Sequence, residues 1–204
     1  TMEFQILTTT KQKGILGSQS INEYCQKVFT GNDKSEKVSN GSFDFHIGDK
    51  VIISGNKYGI MLYDDVDDFY LESPRTDDEG ETEEFDLFNG TMGIVEALST
   101  ESDNIAVIVK FEGLEGYVAV SGKDLLSLEL AYAITVHRSQ GMSINNTLTL
   151  VDFGAYKLLS RQLLYSSITR ASKKAVLLAE HNALYSAIRS DASGLRRTFL
   201  GDLL

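Results

Sequence analysis

The segment at residues 133–143, AITVHRSQGMS, places several hydrogen-bonding side chains directly after an apolar run. Thr135 follows a predicted strand and can cap a helical turn that begins at Val136, and Gly141 can end that turn in the left-handed conformation. A helical turn beyond the carboxyl end of a strand offers free backbone N–H groups and hydroxyls, which suit an anion such as phosphate. The segment therefore predicts a phosphate-binding turn at the edge of a sheet.

The polar side chains of this turn add further donors, namely His137, Arg138, Ser139 and Gln140. Donors of this kind can hold a sugar–phosphate backbone without reading the bases. The alternative is a capped turn whose polar residues simply face water, and this alternative is favoured for any one residue taken alone. For the whole cluster at this position, binding of a nucleic-acid backbone is the favoured interpretation.

A second candidate is Arg170, which lies near the end of a predicted helix in LLYSSITRASKK, residues 163–174. Leu164 and Ile168 are four residues apart and can bury one face of that helix. The guanidinium of Arg170 is always charged and can bind a phosphate with two hydrogen bonds. An arginine held rigidly at a sheet edge can stabilise the charge that develops during phosphoryl transfer. The alternative is a favourable interaction between a cation and the helix C-terminus.

These residues need a sheet to position them, and both ends of the sequence predict one. Near the N-terminus, FQILTTT reads as a strand, and SQSINEYCQKVF has apolar residues at helical spacing. Towards the C-terminus, strands predicted for LELAYA, NTLTLVDF and KAVLLAE alternate with the helix SRQLLYSSITRAS, capped by Ser160, and with a final helix. Such alternation is typical of a parallel α/β sheet. The simplest assembly joins residues 1–29 and 129–204 into one discontinuous α/β domain.

The middle of the chain, residues 45–128, predicts a separate inserted domain. Short β-rich runs, among them HIGDKVIIS, GTMGIVEAL and NIAVIVKFEG, are separated by Gly, Asn and Asp, as in a small antiparallel barrel or sandwich. One loop of this domain, residues 64–86, holds twelve Asp or Glu and one Arg. We expect this acidic loop to be solvated and poorly ordered, because it has no apolar face to bury. The alternative is a protein-docking arm or a DNA mimic.

The net charge of −10 argues at first against a nucleic-acid partner, but the acidic loop accounts for it, since twelve acids and one Arg give −11. From Thr135 onward, nine Lys or Arg stand against four Asp or Glu. Cys25 is the only cysteine, which excludes an internal disulfide and a cysteine-based zinc site and predicts a cytoplasmic location. No apolar run is long enough for a membrane span, so no membrane partner is expected.

Taken in order, these segments resemble a known family. AYAITVHRSQGMS, followed by LLYSSITRASKKAVLL, resembles motifs V and VI of superfamily 1 DNA helicases, and the best resemblance is to the RecD-like branch. FQILTTTKQKG ahead of INEYCQ is similar to the motif IV region, where Lys11 and Lys13 stand without an arginine. FHIGDKVIISGNKYG, then FNGTMGIV, resembles a Src-homology-3-like barrel inserted in the second motor domain. The resemblance implies a RecA-like parallel sheet interrupted by that barrel.

The resemblance also implies roles for individual residues. The positions expected to bind single-stranded DNA and couple it to the nucleotide are Thr135, His137, Arg138, Ser139 and Gln140. Gly141 would lie close to the nucleotide, and Arg170 would be the arginine finger to the γ-phosphate. The inserted barrel would lie against the DNA strand, and movement would run 5′ to 3′. Ser143 departs from the pattern, because many members have an acidic residue there that reaches the ribose.

The sequence contains no G-x-x-x-x-G-K-[ST], the phosphate cradle that such motors need. We therefore expect the chain to be the C-terminal part of an ATP-dependent DNA helicase acting in unwinding, recombination or repair. ATP and Mg²⁺ would be bound mostly by a separate N-terminal motor domain. The chain alone is predicted to hold no metal or cofactor and not to hydrolyse ATP. Two alternatives stay open: a conjugative relaxase-type helicase domain, and a non-catalytic module that binds a protein partner through the barrel or acidic loop.

Overall fold

The computed structural model describes residues 3–12, 14–30, 36–101 and 105–190. Within these ranges the α-helices are α1 (Ser18–Phe29), α2 (Val66–Tyr70), α3 (Arg161–Ile168) and α4 (His181–Arg189). The strands are β1 (Phe4–Thr8), β2 (Val38–Ser39), β3 (Asp44–Phe45), β4 (Lys50–Ile53), β5 (Lys57–Tyr63), β6 (Glu84–Leu87), β7 (Met92–Ser99), β8 (Ala106–Phe111), β9 (Tyr117–Ser121), β10 (Leu128–Leu130), β11 (Ala133–Thr135), β12 (Ile144–Val151) and β13 (Ala171–Ala179).

The chain divides into two compact units. The parallel-sheet unit comprises Glu3–Ile21 and the chain from Ala133 onward, and the antiparallel-sheet unit comprises Asn22–Tyr132. The boundary between Ile21 and Asn22 falls inside α1, whereas the sequence predicted a boundary at residue 29, after this helix. The domain boundaries at residues 29, 45, 128 and 129 stay a prediction.

The parallel-sheet unit contains a four-stranded parallel sheet with the order β11-β1-β12-β13. β1 lies between two strands that come more than a hundred residues later, since Ile6 is opposite both Ala133 and Leu148. Helix α3 packs against β12, β13 and α4. The predicted parallel α/β architecture is therefore confirmed, including the joining of the N-terminal strand to the C-terminal ones.

One predicted strand, LELAYA, is wrong as a single element. Its first part is β10, which pairs antiparallel with β4, and its end leads into β11, which pairs parallel with β1. Ala131 and Tyr132 separate the two. A continuous apolar run identifies buried strands, but its periodicity does not show where a chain leaves one sheet and enters another.

Helix α3 begins as predicted, because the Ser160 hydroxyl accepts a hydrogen bond from the backbone N–H of Leu163 at 3.2 Å. Its buried side chains are Leu163, Leu164 and Ser167. The expectation for Leu164 is confirmed, whereas the expectation that Ile168 is also buried is wrong, since that residue is 47% exposed. Ile168 is the last residue of the helix.

The antiparallel-sheet unit is built on a seven-stranded sheet with the order β10-β4-β7-β8-β9-β5-β6. Its core is formed by apolar residues that include Phe45, Val51, Val109, Phe111 and Leu128. Both faces of the central strand β8 are buried. Val109 and Phe111 belong to this core, whereas Ala106 and Ile108 belong to a second apolar cluster. The predicted antiparallel sheet in the middle of the chain is thus confirmed.

The acidic loop was expected to be poorly ordered, and this expectation is wrong. Its N-terminal part forms α2, where Asp65 and Asp68 make a reciprocal capping box. Phe69 is buried and packs edge-on against Tyr63, with ring centroids 5.6 Å apart. The C-terminal part of the segment is β6, which pairs with β5. Asp65 and Asp68 look like solvated charge in the sequence but cap a helix. The apolar residues beside them, Val66 and Phe69, do have a core to join.

A buried cation in β4 yields a prediction about stability. Lys50 is only 5% exposed, and desolvation lowers its pKa to about 8, against a smaller opposing effect of Glu112. In the unfolded chain the pKa returns to about 10.4. Between these values the unfolded state binds more protons, so the free energy of unfolding should rise as the pH increases from about 8 to 10.

Replacing Lys50 with methionine should raise the free energy of unfolding at pH 7 by about 1–2 kcal/mol, because a charge no longer needs to be desolvated. The substitution should also remove the increase in the free energy of unfolding between about pH 8 and pH 10. Urea unfolding at pH 7, 8, 9 and 10 measures both effects. Lys110→Met, at an exposed position of β8, is the matched control. Equal pH profiles for the two variants would contradict the prediction.

Candidate functional site

The segment after β11 forms the turn that the sequence predicts. The backbone N–H of Ser139 donates to the carbonyl of Thr135 at 3.1 Å, and that of Arg138 donates to the Thr135 hydroxyl at 3.3 Å. Gly141 has a φ of +88°, the left-handed conformation expected at the end of the turn. Residues 136–141 are a succession of turns rather than an assigned helix. The capping roles of Thr135 and Gly141 are therefore confirmed.

The side chains of this turn divide into an inner and an outer set. Ser139 is fully buried, and its hydroxyl donates to the carbonyl of Val136 at 2.8 Å. The idea that the Ser139 side chain is a surface donor is therefore wrong, because the hydroxyl closes the turn from within. His137 and Gln140 are exposed, while Thr135 and Arg138 are partly buried. These four residues remain candidates for contact with a ligand.

A cavity of about 650 Å³ lies beside the turn, within the parallel-sheet unit. Its lining comes from segments that directly follow β1, β11 and β12, three neighbouring strands of the parallel sheet. The lining residues are Thr9, Thr10, Lys11, Gln12, Thr135, His137, Gly154, Ala155, Tyr156, Lys157 and Leu158. The strand-end cavity is thus at the carboxyl edge of the sheet, where α/β folds place ligands.

The sequence had pointed to only part of this lining. Thr135 and His137 were candidates, and Lys11 was noted through the family resemblance, whereas the loop that follows β12 was missed. The position of this loop in the sequence could have identified it. Residues that follow β1 and β12 come to the same edge if those strands are neighbours in a parallel sheet. Lys13, the other lysine of the motif IV region, lies outside the described residues.

The charge of the parallel-sheet unit suits an anionic ligand. Its sequence holds eleven Lys or Arg and five Asp or Glu. The antiparallel-sheet unit holds eight Lys or Arg and 24 Asp or Glu. Lys11 and Lys157 both line the strand-end cavity, together with Thr9, Thr10 and Thr135. Ammonium and hydroxyl groups around one cavity can hold a phosphate by charge and by hydrogen bonds.

Arg170 lies against the far end of the turn rather than in the cavity lining. Its guanidinium donates from Nη1 to the carbonyl of Met142 at 3.2 Å and from Nε to that of Ser166 at 3.3 Å. The carbonyl of Arg170 accepts from the backbone N–H of Ile144 at 2.9 Å. The structure therefore brings the two sequence candidates together, since Arg170 is hydrogen-bonded to the segment that directly follows the turn.

Two further observations concern ligands and membranes. Among the residues that the structure describes, no group of three or more His, Cys, Asp or Glu is placed to hold a metal ion. No helix in the same described ranges is long and apolar enough to cross a membrane.

Residues 130–178 match the family model of the UvrD-like helicase C-terminal domain. The matched range begins in β10 and contains the turn, β12, α3 and Arg170. The chain carries a UvrD-like helicase C-terminal domain. Its relatives are RecD helicases and Pif1-like helicases of superfamily 1, and the RecD-like branch is the one that the sequence motifs predicted.

Two relatives and one solved structure are similar to most of the chain. The chain is 30% identical over 96% of its length to an uncharacterised protein of Methanocaldococcus jannaschii, and 28% identical over 82% of its length to the ATP-dependent RecD2 DNA helicase of Deinococcus radiodurans. It spans only 16% and 19% of those two proteins. Bacteroides Pif1 helicase, in complex with ADP-AlF3 and ssDNA, shares the fold with a TM-score of 0.51 at 14% identity, covering 95% of this chain and 44% of that one.

Proposed function

We propose that the chain is the second motor domain of an ATP-dependent DNA helicase and that it binds single-stranded DNA. The strand-end cavity carries this proposal, because it combines lysines and hydroxyls at the carboxyl edge of a parallel sheet. The RecD-type relatives support it, as does the single-stranded DNA bound to the Pif1 helicase that shares the fold. Unwinding in recombination or repair, with movement 5′ to 3′, is the activity that this family relationship favours.

The DNA backbone would lie along the strand-end cavity and the outer side of the turn. Lys11 and Thr135, which come from the ends of the neighbouring strands β1 and β11, would hold phosphates in the cavity. His137 and Gln140 are exposed on the turn. Arg138 would add charge from a partly buried position. Ser139 contributes indirectly, because its buried hydroxyl fixes the turn that carries these donors.

The nucleotide side of the motor would depend on Arg170 and on the end of the turn near Gly141. The hydrogen bonds of the guanidinium are to neutral carbonyl groups, and a phosphate oxygen is a stronger acceptor for it. Arg170 would exchange its contact with Met142 for the γ-phosphate of ATP. The exchange would release one end of the turn whose other end holds DNA, which gives a direct link between the two ligands.

The remaining nucleotide contacts would come from the N-terminal motor domain, which is the expected protein partner. The described residues contain no acidic cluster that fits Mg²⁺, and the sequence has no G-x-x-x-x-G-K-[ST]. The metal and most of the ATP would therefore be held by residues outside the chain. Mg²⁺ would supply neutralisation of phosphate charge there.

The two units support the family's architecture. The parallel order β11-β1-β12-β13 favours a RecA-like motor domain. The antiparallel sheet of Asn22–Tyr132 favours the Src-homology-3-like barrel that members of this family insert, and this barrel would help to guide the DNA strand.

A test of the DNA site uses Lys11→Ala. The variant should bind a fluorescein-labelled single strand about five- to tenfold more weakly in 50 mM salt, because one phosphate contact is lost. The slope of log K against log salt should become shallower by about 0.7 for the same reason. Fluorescence anisotropy across a salt series measures both quantities.

The matched control for this test is Lys173→Ala, because Lys173 is exposed on β13 and does not line the cavity. It removes the same charge, so it corrects for a general loss of positive potential. Indistinguishable affinities and salt slopes for the two variants would show that DNA does not use the strand-end cavity. Absence of DNA binding by the unsubstituted chain would contradict the proposed function itself.

A further inference from the structure

The loop between β12 and α3 presents two aromatic rings beside the strand-end cavity. Phe153 is 48% exposed and Tyr156 is 54% exposed. Their ring centroids are 6.0 Å apart and the ring planes differ by 21°, so the rings are stacked nearly parallel. Tyr156 also lines the cavity. The pair therefore offers a flat aromatic surface at the place where the proposed DNA strand would run.

The rings are held in place by the backbone that carries them. The N–H of Phe153 donates to a carboxylate oxygen of Glu180 at 3.0 Å, and the N–H of Tyr156 donates to the carbonyl of Phe153 at 3.0 Å. Ala155, between them, is buried. Burial of two large aromatic rings would have stabilised the fold. This anchored loop nevertheless leaves both rings about half exposed.

The surroundings of the rings suit a nucleotide better than an apolar ligand. The Nζ atom of Lys157 lies 5.8 Å from the centroid of the Tyr156 ring, and Lys11 lines the same cavity. An aromatic face next to positive charge matches the two halves of a nucleotide, a base that stacks and a phosphate that needs a cation.

We propose that Tyr156, which stacks with Phe153, is a stacking platform for one base of single-stranded DNA. The neighbouring phosphates of that strand lie in the strand-end cavity, between Lys11 and Lys157. This inference rests on the proposed function, which places the backbone of single-stranded DNA at this cavity. The stacking platform adds a contact to one base of the same strand. Stacking of this kind accepts any base, so the platform adds affinity without sequence preference.

The chain contains no tryptophan, which provides a direct optical test. Tyr156→Trp introduces a single indole that keeps the stacking surface. Titration with an oligothymidylate should quench its fluorescence, whereas an abasic strand of the same length should bind without quenching. Tyr165→Trp is the matched control, since Tyr165 is 71% exposed on α3 and does not line the cavity. Quenching of the control alone, or equal quenching by both strands, would overturn the platform.

Affinity provides the second measurement and separates the two proposals. Tyr156→Ala should weaken binding of the base-containing strand about tenfold, the order expected for one stacked base, and leave binding of the abasic strand unchanged. Tyr156→Phe should keep the affinity, which guards against a folding defect in the alanine variant. If the unsubstituted chain binds both strands equally, the platform is wrong and the proposed function stands. If it binds neither strand, both proposals fail.

Discussion

If the proposed function holds, replacing Arg170 with alanine in a protein that contains both motor domains should lower DNA-stimulated ATP hydrolysis by about 10³-fold or more. This is the order of magnitude by which an arginine finger accelerates phosphoryl transfer. Binding of single-stranded DNA should change by less than about threefold, because Arg170 does not line the strand-end cavity. Steady-state hydrolysis with and without an oligonucleotide, together with anisotropy titration, measures the two quantities separately.

The hydrogen bonds of Arg170 make the choice of variants important. Alanine also removes the bonds to Met142 and Ser166, so a loss of activity could come from a disturbed turn. Arg170→Lys keeps the positive charge but loses the paired N–H donors of the guanidinium. This variant should therefore recover only a small part of the rate of ATP hydrolysis. A disturbed turn would weaken DNA binding as well, whereas loss of the finger would not.

Arg189→Ala is the matched control for these variants. Arg189 also lies at a helix end, but it is exposed, and its guanidinium lies over the ring of Tyr185, 4.2 Å from the centroid. Its removal should leave hydrolysis within about twofold of the parent. Equal rates for the Arg170 and Arg189 variants would contradict the proposed role of Arg170 as an arginine finger.

Features set by neighbouring residues could be predicted from the sequence. Thr135 caps the turn, Gly141 ends it and Ser160 begins α3, and each of these depends on a hydrogen bond or a backbone angle within a few residues. The alternation of strands and helices also predicted the parallel sheet. Local chemistry is enough in these cases, because the partners are adjacent along the chain.

The cavity could not be predicted in the same way, because its walls come from distant parts of the chain. The hydroxyl of Thr9 lies 3.5 Å from a carboxylate oxygen of Asp152, although 143 residues separate them in sequence. Only the order of the strands brings Lys11 and Tyr156 to one edge. Local patterns predict that strands exist, but they do not determine which loops become neighbours.

Buried charge is the other feature that the sequence did not reveal. Asp49 has no exposed surface, although it lies in the polar-looking stretch HIGDK. Its carboxylate accepts hydrogen bonds from Gln26 at 2.6 Å, Thr30 at 2.5 Å and Tyr132 at 2.8 Å. It also accepts from the backbone N–H of His46 at 2.8 Å. Burial, together with the charge of Asp49, raises the pKa of Tyr132 well above its usual range, so the phenol stays a donor.

Replacing Asp49 with alanine should therefore lower the free energy of unfolding of the antiparallel-sheet unit by about 3–5 kcal/mol. Four donors would lose a shared charged acceptor in a buried site, and each unsatisfied donor costs about 1–3 kcal/mol unless water reaches it. Asp44→Ala is the matched control, because 40% of that side chain is exposed and its ion pair with Lys37 is worth at most about 1 kcal/mol. Urea unfolding followed by circular dichroism measures the difference. A cost no larger than that of Asp44→Ala would mean that the donors around Asp49 find other acceptors, and that the carboxylate does not hold this part of the fold together.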